Sequence, residues 1–441
     1  MSSHDSPSGW PPHRCSARPR SSWPHRGLRD QRREGLTIYP LHLDLTGRRV
    51  LVVGAGPVGV RRIRALVDAG AVVEVVALQA PDLEFAERPS AGQPSGRPLV
   101  AVPPVSVQRR AFRKSDVVGA WLVLACTGVV DDVVAAACAA RSIWCVRADD
   151  ASQSSAWVPA VARVDDVVVS VTAGRDPRRT VALRDALALA VETGELPLRR
   201  GRRGAGVVAL VGGGPGDAGL LTVRGRRLLA EADVVVRDRL APAVPAAEGV
   251  EVIEVGKSAR GPSWSQRDIE QLLVDRARSG LRVVRLKGGD VHLFARGIEE
   301  VAACVQAGVP VEVVPGVSSA FAVPAWAGIP VTARGLTQSV AVVSAHLAPG
   351  AEGSTIDWDA LARLGGTVVL LMAVERLEAV CVALVAGGRP PATPVAVVQD
   401  GTLQTQQVLV STLADCARDA AHLTAPAVVV VGEVVGARLM T

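Results

Sequence analysis

Two glycine-rich stretches stand where an apolar run gives way to a helical pattern, and each could bring backbone N–H groups against a ligand. Gly54-Ala55-Gly56-Pro57-Val58-Gly59 follows the run RVLVV at 49–53. In this spacing the first glycine permits the turn, the second lets backbone approach a pyrophosphate, and the third lets helix and strand close up. The helix N-terminus then offers free N–H groups to phosphate. The acidic residue expected about 20 residues later to bind a ribose is absent. The next strand ends at Leu78-Gln79, and Gln79 can offer a hydrogen bond in its place. The second stretch, Gly212-Gly213-Gly214-Pro215-Gly216-Asp217, departs from the dinucleotide pattern because Pro215 stiffens the turn, which suits a flat ligand lying against backbone. Four more segments put glycine or charge at the end of a strand: Val236–Leu240, Val255-Gly256-Lys257, Arg285–Asp290 and Val314–Ser319. In a parallel sheet such ends converge on one crevice. Asp149-Asp150 ends another strand, where a carboxylate either accepts a proton or caps the next turn.

The elements that must hold these residues alternate between strand and helix. Strands are expected at 49–56, 71–78, 121–127, 143–149 and 166–174, with helices over 57–70, near 131–141 and over 178–193. That alternation implies a parallel sheet and an α/β fold. The stretch LPLRRGRRGAG (196–206) has charge and glycine without periodicity and reads as a linker. A second α/β region begins at Val207, with strands at 207–215, 232–238, 250–256, 282–290 and 309–316 and a helix over 218–231. Ser265, Asp268 and Gly280 mark the start and stop of a helix over 265–280. Further strands at 338–346, 367–373, 394–400, 406–412 and 427–435 form another set, with a hinge near 330–338. The expected domains are a disordered leader at 1–35, or residues upstream of the true start, then a nucleotide-binding domain over 36–195. The linker at 196–206 leads to a domain over 207–441, with lobes at about 207–330 and 338–441.

Composition narrows the function classes. With 441 residues and 49% hydrophobic content, the chain can fill more than one core. No apolar run reaches the roughly 18 residues of a membrane span, and no N-terminal stretch resembles a secretion signal, so a cytoplasmic protein is expected. The net charge is +6, but residues 1–35 alone carry +4, which disfavours a nucleic-acid binder. The seven cysteines form no CxxC pair and no metal-type cluster, so no metal site is expected. Lysine is nearly absent: only Lys114, Lys257 and Lys287 occur.

The order GGGPGDAGLLT, DRL, VGK, LKGGD, VVPGVSSA resembles uroporphyrinogen-III C-methyltransferases, over about Val207 to Val435. The stretch from about Tyr39 to Thr193 resembles the precorrin-2 dehydrogenase and ferrochelatase module that siroheme synthases carry in front of the methyltransferase. The whole chain is thus similar to the siroheme synthase family. The resemblance implies a Rossmann-like NAD-binding domain followed by a two-lobed tetrapyrrole methylase domain. It implies S-adenosyl-L-methionine at Pro215, Gly288, Gly289, Asp290, Leu293, Ser318, Ser319, Met372 and Gly401, with Asp290 pairing the ammonium of the methionine part. NAD is implied at the Gly54, Gly56 and Gly59 loop with Pro57 and Val58, and at Leu78 and Gln79. Asp238 matches the family's proposed base, Lys257 its proposed acid, and Asp149 the carboxylate proposed for both dehydrogenation and iron insertion. The implied reaction is methylation of uroporphyrinogen III to precorrin-2, then NAD-dependent oxidation to sirohydrochlorin, then insertion of ferrous iron. The substrate's carboxylates would find arginine forks, with Arg239 and Arg296 as candidates. A homodimer is implied as well.

The pattern is broken in places. Arg237 replaces an aromatic residue, Val291-His292 replaces proline and phenylalanine, Ala295 and Ile298 replace glycines, and Ser318-Ser319 replaces a Thr-Ala pair. The segment between Gly174 and Val207 is shorter than the family's helical dimerisation and chelatase segment, which bears most on iron insertion. Two other readings stay open. One is a methyltransferase whose N-terminal module only binds or senses NAD or tetrapyrrole; the other is a cobalamin-pathway precorrin methylase.

Overall fold

The computed structural model describes residues 39–81, 105–174, 176–199, 201, 204–244, 247–256 and 264–438. The expected leader at 1–35 and Lys257 lie outside them. Two compact units divide the chain: Met1–Val158 with Thr172–Pro177, and Pro159–Val171 with Arg178–Thr441.

The first unit is built on β1 (Arg49–Val53), β2 (Val72–Ala77), β3 (Ser106–Arg109), β4 (Leu122–Ala125) and β5 (Trp144–Arg147), with α1 (Pro57–Asp68) and α2 (Asp131–Ala139). The order is β3-β2-β1-β4-β5, parallel at every pairing as strand–helix alternation predicts, and β3 is a strand that the sequence pattern did not show. Valine runs such as Val50–Val53 are buried because both faces of a parallel sheet are covered. Ile63, Leu66 and Val67 of α1 pack on Val50, Val52, Val73 and Val75, at roughly 1.5–3 kcal/mol per fully buried side chain. Gly70 turns the chain after α1 with φ +75°, a conformation that costs glycine little.

The strand expected at 166–174 does not continue that sheet. β6 (Ala160–Val164) and β7 (Val167–Val171) pair with each other as an antiparallel hairpin that forms its own two-stranded sheet. The hairpin and α3 (Pro177–Glu192), from Arg178 on, belong to the second unit. Asp165 at the hairpin turn pairs with Arg227, a Cβ on Gly194 would lie 2.6 Å from Arg227 Cα, and Leu198 N–H donates to the Ala230 carbonyl at 3.1 Å.

The first lobe of the second unit has a parallel sheet of order β10-β9-β11-β8-β12. Its members are β8 (Val207–Gly212), β9 (Val234–Arg237), β10 (Glu251–Glu254), β11 (Arg282–Lys287) and β12 (Val311–Val314). The helix expected over 218–231 is a 3-10 turn, Ala218–Leu220, followed by α4 (Val223–Glu231), because the Thr222 side chain accepts from Gly225 N–H and starts the helix there. The helix α5 (Gln266–Arg278) begins on the expected Ser265–Asp268 capping box. α6 (Gly297–Gln306) and α7 (Ser319–Trp326) complete the lobe. The second lobe's sheet runs β13-β14-β17-β15-β16: β13 (Val340–Ser344), β14 (Thr367–Leu371), β15 (Pro394–Gln399), β16 (Gln407–Thr412) and β17 (Ala427–Val431). Only β13 and β14 run parallel; the other pairings are antiparallel. No described helix is long and apolar enough to cross a membrane.

Candidate functional site

In the second unit three glycine loops interlock at the carboxyl ends of β8, β11 and β12. Gly213 N–H donates to the Lys287 carbonyl at 2.8 Å, and Gly214 and Gly289 exchange backbone hydrogen bonds at 3.2 and 2.7 Å. A Cβ on Gly212 would stand 2.5 Å from Gly316 Cα, and one on Gly316 would lie 2.6 Å from Gly212 Cα. Gly289 and Gly214 have φ of +66° and +82°. Only glycine allows backbone to approach backbone this closely. Gly288 meets the next loop in the same way: its Cβ would be 2.8 Å from the Leu240 carbonyl oxygen.

Asp290 caps this construction. Its carboxylate accepts from His292 N–H at 2.8 Å, Leu293 N–H at 3.1 Å and Gly316 N–H at 3.2 Å. Burial raises its pKa, but these backbone donors outweigh burial and hold it below the usual carboxylate value. Its hydrogen bonds thus tie the LKGGD loop to the VVPG loop, a task that the sequence did not suggest.

The two lobes touch beside this floor. Asp217 N–H donates to Thr402 Oγ1 at 3.1 Å, Leu403 lies against Gly216, and a Cβ on Gly401 would be 2.9 Å from Val323 Cβ of α7. Leu293 packs on the cluster that includes Ala320, Val323 and Leu371. Ser318 caps α7 by accepting from Ala320 N–H, and Ser319 is the first helical residue. Met372 follows β14 at φ +58° and is half exposed. For a residue that is neither glycine nor asparagine this is an unusual backbone, of the kind found at ligand-facing loops. Asp400 and Thr402, flanking Gly401, are also at positive φ.

Asp238 follows β9 on the same sheet edge. Its backbone N–H is held by the Leu286 carbonyl, and its Oδ1 accepts from Arg285 Nη2 at 2.6 Å. Arg285 and Lys287, on one face of β11, are buried together with Glu300 of α6, which accepts from both. Sequence reasoning did not single out this trio. An Arg-x-Lys pair following the apolar Val283-Val284 was the available signal, since strand period two puts both on one face. Among the residues that depart from the family pattern, Arg237 pairs with exposed Glu254 at the sheet edge, and Val291 joins the core. Arg296 is exposed and forks onto Glu299 at 2.9 and 2.6 Å. Arg239 is exposed, with its backbone against Gly256.

In the first unit, Gly54 has φ +101°, and a Cβ there would lie 2.6 Å from the Cys126 carbonyl oxygen. A Cβ on Gly59 would collide with the Gly54 carbonyl oxygen, whereas one on Gly56 would meet nothing within 4 Å. Gly56 is the N-cap of α1 and supplies no side-chain cap, and Pro57 stands in the first turn, so the leading N–H groups of the helix stay open to an acceptor. Val58, in the first turn of α1, and Leu78 and Gln79, just past the end of β2, are exposed. This is a cradle with room for a phosphate-bearing ligand. Gly59→Ala is accordingly expected to destabilise the first unit, by roughly 1–3 kcal/mol for forced overpacking. Gly56→Ala is expected to leave stability intact while weakening NAD binding. Thermal melting and NAD titration of the two variants check this pair.

Asp149 stands just past β5. Arg147 grips its carboxylate at 3.0 and 2.6 Å and also pairs with Asp132. That side-chain hydrogen bond holds the Asp149 pKa below its ordinary value.

Comparison with known proteins agrees with both modules. Residues 207–417 match the family of tetrapyrrole (corrin/porphyrin) methylases, and residues 41–160 match an NAD(P)-binding family. Siroheme synthase 1 of Yersinia pseudotuberculosis serotype I is 36% identical over 459 residues, spanning 91% of this chain and 94% of that protein. A siroheme synthase of Pseudomonas putida is 35% identical, spanning 91% and 97%. An S-adenosyl-L-methionine-dependent uroporphyrinogen III methyltransferase of Methanosarcina barkeri is 46% identical over 237 residues, 52% of this chain and 92% of that protein. Among solved structures, a uroporphyrin III C-methyltransferase of Thermus thermophilus is 39% identical, covering 53% of this chain and 100% of that one, with a TM-score of 0.45. With an NAD-binding module and a methylase module in the same order, and a relationship that runs through nearly the full length of its relatives, the chain belongs to the siroheme synthase family.

Proposed function

We propose that the chain methylates uroporphyrinogen III twice at carbon, using S-adenosylmethionine, to give precorrin-2, and that its N-terminal module oxidises precorrin-2 to sirohydrochlorin with NAD. The observation that carries this reading is the fused pair of modules, shared over 94% of a siroheme synthase's length. When bound, S-adenosylmethionine supplies an electrophilic methyl group and NAD accepts a hydride.

Transfer to carbon needs no protein nucleophile, because the electron-rich pyrrole attacks the methyl. The protein must position both partners and move protons. The glycines at 288 and 289 admit close backbone approach to the methyl donor, with Pro215, Ser318, Ser319 and Gly401 around it and Leu293 and Met372 as apolar walls. The Asp290 pairing with its ammonium is proposed alongside the loop-tying bonds already described. Asp238 accepts the proton that the ring gives up after gaining a methyl, and Lys257 serves as the acid. In the first module Gly54, Gly56, Pro57, Val58 and Gly59 hold the NAD phosphates, Leu78 and Gln79 its adenosine side, and Asp149 takes the proton that accompanies hydride loss.

For the metal step a second reading is favoured: oxidation without iron insertion. A guanidinium bound to Asp149 opposes the approach of a divalent cation such as ferrous iron, its substrate in that step. The Asp149→Asn variant is expected to methylate uroporphyrinogen III normally and to lose the NAD-dependent oxidation, followed by NADH absorbance; retained oxidation would remove Asp149 from the reaction. A cytoplasmic homodimer is part of the proposal. The homodimer is supported by the exposed Val161, Val167 and Val168 of the hairpin and Val181, Leu183, Leu187 and Leu189 of α3.

A further inference from the structure

The interior of the first methylase lobe holds an ionic cluster that methyl transfer, as described, does not use. Arg285, Lys287 and Glu300 are all buried, at 2%, 2% and 0% exposure. Glu300 Oε1 accepts from Arg285 Nε at 2.9 Å and from Lys287 Nζ at 3.1 Å, and its Oε2 accepts from Lys287 at 3.0 Å. Arg285 also reaches the Val236 carbonyl at 3.4 Å. One carboxylate therefore faces two cations. The second carboxylate is Asp238, with Oδ1 2.6 Å from Arg285 Nη2 and Oδ2 3.9 Å from Lys287 Nζ.

Burying charge is costly unless it is paired, and apolar side chains of similar volume would stabilise such a site as well or better. Packing alone gives no reason for this cluster. It ends on the one member that is open to solvent, since the Asp238 side chain keeps 30% of its surface. Burial, with Arg285 adding to it, pushes the Lys287 pKa down, while Glu300 and Asp238 act in the opposite sense. The ammonium thus depends on both carboxylates.

We propose that Arg285, Lys287 and Glu300 are positioning residues: Glu300 fixes the two cations, and they hold Asp238 from behind, Arg285 on Oδ1 and Lys287 facing Oδ2, while its side chain stays partly open to solvent. The inference rests on Asp238 being the proton acceptor. Arg285 fills the central place because its planar fork presents donors in fixed directions to Glu300 and Asp238 at once, a geometry that the point charge of a lysine ammonium does not reproduce.

The test is a double-mutant cycle in single-turnover methylation of uroporphyrinogen III, with full-length enzyme in excess and S-adenosylmethionine saturating. Arg285→Lys is expected to slow methyl transfer roughly ten- to a hundredfold, the scale of a misplaced group, without changing the affinity for S-adenosylmethionine. In an Asp238→Asn background the same change should have no further effect, because the positioned group has gone. Lys287→Met and Glu300→Gln are read in the same cycle and serve in place of Arg285→Lys if that variant does not fold. Wild-type rates in these single variants would overturn the proposal, as would an equal loss with and without Asp238, the mark of a general structural role. Undiminished turnover of Asp238→Asn alone would instead remove the assignment of Asp238 on which the inference rests.

Discussion

Asp238→Asn is expected to lower the rate of methyl transfer by roughly 100- to 10,000-fold, the usual contribution of a positioned acid–base group, and to leave S-adenosylmethionine binding in place. The side chain follows β9, held through its backbone by Leu286 and through Oδ1 by Arg285. The amide keeps the shape and one acceptor for Arg285 but takes up a proton poorly. It also removes one negative charge from a cluster with two buried cations. Some loss of stability is therefore expected too, and the kinetic comparison belongs at a temperature where both proteins are folded. Titration with S-adenosylhomocysteine reports the intact methyl-donor site, and single-turnover product formation reports the chemistry. Equal turnover in variant and wild type would take Asp238 out of the mechanism.

Gly316→Ala should produce the second large effect, by geometry rather than charge. The added Cβ would lie 2.6 Å from Gly212 Cα and would also meet the Gly289 carbonyl oxygen. These are backbone atoms of two other loops, so no side-chain rotation relieves the clash. Relief requires the three glycine loops to separate, which breaks the Gly316 N–H bond to Asp290 and disturbs the Gly214–Gly289 pairing. The expected result is loss of measurable S-adenosylmethionine binding, with a stability cost of about 1–3 kcal/mol. Gly365→Ala is the control: a Cβ there meets nothing within 4 Å and its φ is not positive. Calorimetric titration and thermal melting of both variants check the pair. Full affinity in Gly316→Ala would show that the loops have slack that their packing denies.

The glycine loops were legible in the sequence because close backbone approach leaves a residue-type signature that needs no knowledge of the rest of the fold. The same holds for α5, whose Ser265–Asp268 capping box is a local event. What escaped was non-local. The valine-rich 166–174 stretch reads as another buried parallel strand, yet β7 pairs with β6 in a separate hairpin, and five-residue strands carry too little periodicity to show direction. The mixed sheet of the second lobe has the same origin: VVLL and AVVVV look alike whether they run parallel or antiparallel. The ionic cluster behind Asp238 was invisible because Glu300 lies on a helix 13 residues from Lys287, and only the packing of α6 on the sheet brings them together. For Asp290, its place in a strand-end loop is legible, but its hydrogen bonds to three backbone N–H groups cannot be read from composition.

The central claim is that both modules are enzymes acting in sequence on one tetrapyrrole. The measurement that tests it most directly is incubation of the full-length protein with uroporphyrinogen III and S-adenosylmethionine, with and without NAD, followed by product masses and absorbance spectra. The account predicts a product with two added methyl groups in the absence of NAD, and the loss of two hydrogens from that product only when NAD is present. No added methyl group under either condition would contradict it outright. Methylation with no NAD-dependent step would contradict its second half and leave the first unit as a binding module.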